Sequence, residues 1–324
     1  MKSTGFFSLL IALGGAAATG CAARHPGTGE ATTSPPPGAE AVSLTGAPLI
    51  RPVMSDESRQ QAEQRLAEAR AIFERNPRDA DAAIWLGRRT AYLGRFQEAI
   101  AIYTSAIAAH PDDARLYRHR GHRYITTRQL EKAVADLARA ASLTAGKQDE
   151  IEPDGIPNAR NIPTSTLQSN IWYHLGLAHY LRGDFERALQ AYREDLKVAS
   201  NPDMLVATSH WLYMTLRRLG RESEAAAVLA PISRDMDIIE NGAYHRLLLM
   251  YKGELATDSV LAAPADGDSA VNDATVGYGV ANWHLYNSRR AEAEQLFRQI
   301  LRSPQWAAFG YIAAEADLAR MARR

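Results

Sequence analysis

Residues 80–113 read ADAAIWLGRRTAYLGRFQEAIAIYTSAIAAHPDD, and residues 114–147 read ARLYRHRGHRYITTRQLEKAVADLARAASLTAGK. When the two stretches are written one above the other, Gly87 falls on Gly121, 34 residues further along the chain. A fixed period of this length indicates a stack of similar structural units. Each unit is too small to bury its apolar side chains alone, so neighbouring units must cover them.

The residue types within the period fit two antiparallel helices per unit. The small residues Gly87 and Ala99 let the helices approach closely, whereas Trp85, Phe96 and Tyr103 fill the space between neighbouring pairs. This order of an aromatic residue, Leu-Gly, Tyr, a turn Gly, Ala, an aromatic residue, Ala and Pro resembles the tetratricopeptide repeat (TPR) family. The resemblance implies an all-α fold, a right-handed α-α superhelix that binds other proteins.

The pattern continues along the chain with two interruptions, of which the second, at about 256–273, is small and acidic. Gly176 follows Gly121 by 55 residues, which is 21 more than one period, so we predict an insertion at about 142–166. This acidic insertion either folds over a groove, contacts a partner or is a tolerated surface excursion. We predict a repeat domain over 55–324, with four units and a C-terminal capping helix at about 80–113, 114–147, 169–202, 206–239 and 305–323.

The first twenty residues have the pattern of an export signal. One lysine precedes a short apolar run and then small residues, and the apolar run is well below the roughly 20 residues of a membrane-spanning helix. Cys21 is the only cysteine of the chain, and Ala18-Thr19-Gly20-Cys21 resembles the lipobox of bacterial lipoproteins. The resemblance implies that Cys21 is lipidated and, since Ala22 rather than Asp follows, that the protein is anchored in the outer membrane of a Gram-negative bacterium. A plain signal peptide is the alternative.

The stretch that follows is rich in Pro, Gly, Ala and Thr. With few large apolar residues to bury, residues 21–54 are predicted to form a flexible tether between the lipid and the repeat domain.

Charge and motifs exclude several functions. The chain has 37 Lys and Arg against 37 Asp and Glu, and this zero net charge argues against nucleic acid as a partner. No phosphate-binding loop, serine-hydrolase elbow or zinc-protease pair occurs, so we expect neither catalysis nor a cofactor. His119 and His122 are three residues apart on a predicted helix, but Arg118, Arg120 and Arg123 surround them and oppose a metal cation.

The TPR resemblance implies that the first helix of each unit lines a concave groove. The positions selected are basic and aromatic, which suits a peptide that carries acidic groups. Ordinary solvated helix faces are the alternative. The predicted groove residues are Arg88, Tyr92, Arg115, Arg118, His122, Asn170, Tyr173, Tyr180, His210 and Arg217.

Two functions follow from these patterns. The first is a lipid-anchored scaffold or adaptor of the cell envelope that binds other envelope proteins or peptides. The second is a surface lipoprotein that binds a glycan or another small ligand on Tyr173, Tyr180 and Trp211. The direction of Trp211 separates them, because burial of this side chain in the core would weaken the glycan hypothesis.

Overall fold

The structure is a computed structural model that describes residues 35–263 and 269–323. The predicted signal segment and Cys21 lie outside the described residues. The described chain is an all-α helical repeat with a short hairpin before it, and none of its helices is long and apolar enough to cross a membrane. Its strands and helices are β1 (Ala39–Val42), β2 (Pro48–Ile50), α1 (Asp56–Arg75), α2 (Ala80–Tyr92), α3 (Phe96–Ala109), α4 (Ala114–Thr126), α5 (Leu130–Thr144), α6 (Leu167–Arg182), α7 (Phe185–Val198), α8 (Pro202–Arg218), α9 (Glu222–Val228), α10 (Gly242–Tyr251), α11 (Thr257–Ala262), α12 (Ser269–Tyr286), α13 (Arg290–Ile300) and α14 (Phe309–Ala322).

Each of the four predicted repeats contains one pair of neighbouring helices. The pairs are α2 with α3, α4 with α5, α6 with α7, and α8 with α9. Their starts are fixed by side-chain caps, which satisfy the free N–H groups of the first turn. Asp79 accepts from the N–H groups of Asp81 and Ala82 at the start of α2, and Asn201 accepts from that of Met204 at the start of α8.

Small residues bring the two helices of a pair together, as the sequence predicts. A Cβ atom on Gly87 would lie 2.4 Å from Cε1 of Tyr103, and one on Gly176 would lie 2.6 Å from Cε1 of Tyr192. Both tyrosines are fully buried. Gly87 and Gly176 therefore leave room for an aromatic ring from the second helix of the same pair, and Gly121 leaves room for Leu137 in the same way.

The tether prediction is wrong for its last part, because residues 39–50 are folded. β1 and β2 form an antiparallel hairpin that buries Ala41 and Leu49. Glu40 is also buried, and it accepts hydrogen bonds from the backbone N–H of Gln97 (3.0 Å) and from Arg51 (2.9 Å). Ala41 and Glu40 give no sign of this burial in the sequence, because one is small and the other is charged.

The C-terminal helices fold back onto the side of the repeats that α2, α4, α6 and α8 line. α14 packs against α12, α13 and α6, and α12 packs against α8 and α10. The ring of Phe309 lies 5.3 Å from that of His122, and Asp317 accepts a 2.8 Å hydrogen bond from Arg218. The helix predicted as a cap therefore lies against the first helices of several repeats.

Candidate functional site

The structure places the ten predicted groove residues on the first helices of their repeats. Most of these side chains contact other parts of the same chain rather than an open groove. Arg88 and Tyr92 lie on α2, Arg115, Arg118 and His122 on α4, Asn170, Tyr173 and Tyr180 on α6, and His210 and Arg217 on α8.

The tyrosines of α6 belong to the core. Tyr180 is 0% exposed, and its hydroxyl accepts a 2.8 Å hydrogen bond from Tyr278 of α12. Burial raises the pKa of Tyr180 to about 12. The hydroxyl of Tyr173 accepts from Nε1 of Trp211 at 2.7 Å and lies 2.9 Å from the hydroxyl of Tyr244. Their prediction as groove residues fails because α10 and α12 cover them.

His210 and Trp211 are buried in the same region. The His210 ring stacks on Tyr244 at 4.7 Å and on Tyr251 at 5.8 Å between centroids. Burial lowers the pKa of His210 to about 3, so the ring is neutral at physiological pH. Trp211 is 1% exposed. Burial of Trp211 and Tyr180 weakens the glycan hypothesis, because neither ring is open to stack on a sugar.

The remaining predicted residues have partners within the chain. Arg217 lies 4.5 Å from the centre of the Tyr286 ring, and Asn170 donates to Ser165 at 3.0 Å. His122 lies against His174, with 4.4 Å between the ring centroids.

Arg115 and the histidines of α4 also have partners. Arg115 pairs with Asp113 at 2.6 Å and with Asp81 at 2.5 Å. His119 stacks on Tyr103, and desolvation lowers the pKa of His119 and of His122 well below the usual value. Among the described residues, no group of three or more His, Cys, Asp or Glu side chains could hold a metal ion.

One segment of the insertion lies directly over α2 and α4. We call residues 151–156 the strap. Arg88 donates to the Pro153 carbonyl at 2.7 Å, and Arg89 donates to the Gly155 carbonyl at 2.7 Å. This part of the insertion is therefore folded against the first helices of the first two repeats.

The deepest contact of the strap is an ion pair. Oε2 of Glu152 lies 2.9 Å from Nε of Arg118, and both side chains are about nine-tenths buried. Neither of these two atoms has a well-aligned hydrogen bond. Desolvation raises the pKa of Glu152, with Arg118 opposing the shift, and desolvation lowers the pKa of Arg118, with Glu152 opposing it. Burial thus works against both charges, and their mutual attraction offsets only part of that cost.

The strap occupies a cleft with an excess of positive charge. We define the basic cleft as the face of α2 and α4 that presents Arg88, Arg89, Arg115, Arg118 and His119. Between this face and the strap lies a cavity of about 210 Å³, which is also lined by Trp85. The cleft therefore already holds an extended acidic segment through arginine side chains, and that segment comes from the same chain.

Two members of this site were missing from the sequence prediction. Arg89 neighbours the selected Arg88, but the groove rule did not include its position. Glu152 belongs to the acidic run of the insertion, to which no partner was assigned. The acidic run and the arginine-rich helix α4 have opposite charges, and this complementarity was the sequence signal that could have predicted their contact.

Comparisons with known proteins agree with the repeat assignment. The family model of the tetratricopeptide repeat matches residues 169–202, which is the predicted third unit. No curated protein matches the sequence.

Solved structures resemble the chain only distantly. A tetratricopeptide repeat protein from Parabacteroides merdae is 14% identical with a TM-score of 0.44, over 81% of this chain and 99% of its own. YrrB, a TPR protein with an unusual peptide-binding site, is 15% identical with a TM-score of 0.41, over 77% and 97%. The matched repeat and the succession of helix pairs together support the predicted likeness to tetratricopeptide repeat proteins.

Proposed function

We propose that the protein is a lipid-anchored adaptor of the bacterial cell envelope, which binds an extended acidic segment of a partner protein in the basic cleft. A TPR fold supports a scaffold role in protein–protein interaction, and proteins of this kind are in general not catalysts. The finer assignment rests on one observation. The cleft holds the strap through two arginine-to-carbonyl hydrogen bonds and one carboxylate, and a partner's backbone and carboxylate offer the same groups.

Arginine suits this task better than lysine. Its planar fork donates to carboxylates and carbonyls in a fixed geometry and stays charged in a partly buried site. The guanidinium of Arg88 lies 4.6 Å from the centre of the Trp85 ring, and that of Arg89 lies 4.9 Å from it. The indole therefore orients both donors before a ligand arrives, which lowers the entropy cost of binding.

Binding of a defined peptide tests the cleft. In the full chain, residues 151–156 are replaced by a Gly-Ser segment of equal length, and a labelled peptide of sequence QDEIEPDGIP, taken from residues 148–157, is titrated by fluorescence anisotropy. We expect saturable binding that weakens about tenfold, or about 1.4 kcal/mol, when Arg118→Gln is added. The matched control peptide QDEIQPDGIP should bind the strap-replaced protein as weakly as QDEIEPDGIP binds the Arg118→Gln variant.

The result that contradicts the cleft assignment is equally specific. It is an affinity that does not change with Arg118→Gln or with loss of the central carboxylate of the peptide. In that case charge attraction in general, rather than the Arg118 position, would account for any binding.

The anchor has its own test. If Cys21 carries the lipid, Cys21→Ser should abolish incorporation of a labelled fatty acid and move most of the protein from the membrane fraction to the soluble fraction, since acyl chains supply about 0.8 kcal/mol for each buried methylene. Cys21→Ala serves as a second variant without a hydroxyl. Retention of both variants in membranes would exclude a lipid on Cys21 as the anchor.

A further inference from the structure

The strap covers the cleft with an unusual kind of contact. Its attachments to α2 and α4 are polar, namely the two carbonyls and the Glu152 carboxylate already described. Its large apolar side chains point away, since Ile151 is 65% exposed and Ile156 is 66% exposed. Lifting the strap therefore exposes little additional apolar surface of the strap itself, and it rehydrates two charges that are now buried.

The strap is short and is fixed at both ends. On one side, the backbone N–H of Leu167 donates to the Glu150 carbonyl at 2.8 Å. On the other side, Asn158 and Thr164 both donate to Glu240, each at 2.7 Å. Inside the strap, the backbone N–H of Glu152 donates to the Ser165 carbonyl at 3.2 Å, so moving residues 151–156 away from the cleft also breaks this bond while the two flanking attachments stay in place.

The C-terminal helix differs in this respect. α14 also lies against the first helices, but it does so with fully buried apolar residues such as Ile312 and Ala313. A Cβ atom on its Gly310 would lie 2.1 Å from the Ala274 carbonyl oxygen of α12, so these helices touch through their backbones. Displacing α14 would open the core, whereas displacing the strap would not.

We propose that the strap is an internal competitor that keeps the basic cleft closed until a partner's acidic segment displaces it. The inference rests on the function proposed above. Glu152 holds the place at Arg118 that the partner's carboxylate takes, and the Pro153 and Gly155 carbonyls hold the places of its backbone on Arg88 and Arg89. The strap and the partner's segment compete for the same cleft. The apparent affinity for the partner is therefore reduced to the fraction of molecules in which the cleft is open.

Two chemically different variants should open the strap. Glu152→Gln removes the charge at Arg118 and keeps the shape of the side chain. Gly155→Val leaves all charges in place, but a Cβ atom there would lie 1.7 Å from the hydroxyl of Tyr92 and 2.8 Å from Nη2 of Arg88, so the present contact of the strap with α2 cannot persist. Glu150→Gln is the matched control, because Glu150 is exposed and its carboxylate makes no ion pair among the described residues.

The test compares the affinity of the QDEIEPDGIP peptide for these full-length proteins. We expect Glu152→Gln and Gly155→Val to bind at least tenfold more tightly than the unaltered chain, and Glu150→Gln to bind like it. The backbone N–H of Glu152 donates to the Ser165 carbonyl at 3.2 Å, so its hydrogen exchange should be slow in the unaltered chain and should speed up when the peptide is added or when the strap is opened. Circular dichroism checks that the variants are folded.

Each other result has a definite meaning. In one outcome, the strap-replaced protein and the unaltered chain bind the peptide equally well, and the Glu152 amide of the unaltered chain stays protected. The competitor role is then overturned, and the peptide binds at a site other than the basic cleft. If opening the strap leaves affinity equal to that of Glu150→Gln, the competitor role alone is overturned. If the strap-replaced protein does not bind at all, the proposed function fails, and the competitor role fails with it.

Discussion

Glu315→Ala is expected to lower the free energy of unfolding by about 3–5 kcal/mol, which is the usual cost of breaking a buried ion pair on one side. Glu315 of α14 is fully buried and lies 2.8 Å from Nη2 of Arg128, which is also buried. Arg128 follows α4 and has a φ of 63°, a left-handed conformation that this residue type rarely adopts. Removing the Glu315 carboxylate leaves the buried guanidinium of Arg128 without a counterion.

The same carboxylate joins three parts of the chain. Besides Arg128, it accepts a hydrogen bond from the backbone N–H of Leu44 in the turn of the hairpin. Arg128 also donates to the Trp306 carbonyl at 2.8 Å, just before α14. Glu315→Ala should therefore loosen the hairpin as well as α14, and hydrogen exchange should increase in both.

Urea unfolding at neutral pH measures the effect, with two comparisons. Glu294→Ala removes an exposed pair with Arg298 on α13, and we expect a change below about 1 kcal/mol. The double variant Arg128→Met, Glu315→Leu should recover much of the stability, because it removes both charges together. A loss below about 1 kcal/mol in Glu315→Ala would mean that the pair does not hold α14 in place.

The helix pairs were predictable because their determinants are local. A 34-residue period, small residues opposite tyrosines and capping aspartates all act within one repeat, so they can be identified in a single sequence. The sequence predicts that α14 is a helix, but it does not predict that this helix packs against α6. The hairpin at 39–50 was missed because its inner face consists of small residues such as Ala41.

The state of the groove was not predictable because it depends on contacts between distant parts of the chain. Arg128 and Glu315 are 187 residues apart, and Arg88 meets the Pro153 carbonyl 65 residues away. A position rule from the family selects the face of each first helix, but it does not tell what the rest of the chain places on that face. Thus Arg88 and Arg118 both contact the strap, whereas Tyr180 lies in the core.

Asp195→Asn is expected to change how stability depends on pH. Asp195 of α7 is 0% exposed and accepts hydrogen bonds from Ser169 of α6 (2.8 Å) and Thr208 of α8 (2.6 Å). Burial raises the pKa of Asp195 to about 7, although both hydroxyl groups oppose the shift. In the unfolded chain an aspartate has a pKa of about 3.9.

The sign follows from proton binding. Between about pH 4 and pH 7 the folded protein keeps the proton on Asp195 and the unfolded chain has lost it. The contribution of this group is therefore fully present below pH 4 and decreases by roughly 4 kcal/mol as the pH rises to 7. Asparagine does not titrate, so the stability of Asp195→Asn relative to the unaltered protein should rise over the same interval. Buried histidines affect both proteins alike and cancel in this difference.

Thr208→Val provides the matched comparison, because it removes one donor to the carboxylate and nearly preserves the side-chain shape. Loss of that hydrogen bond disfavours the charged form, so the fall in stability should extend to a higher pH than in the unaltered protein. Urea unfolding from pH 4 to pH 9 measures all three proteins. The contrary result is a difference in unfolding free energy between Asp195→Asn and the unaltered chain that stays constant with pH. It would mean that the two hydroxyl groups outweigh burial and keep Asp195 ionised. The junction of α6, α7 and α8 would then hold a charge.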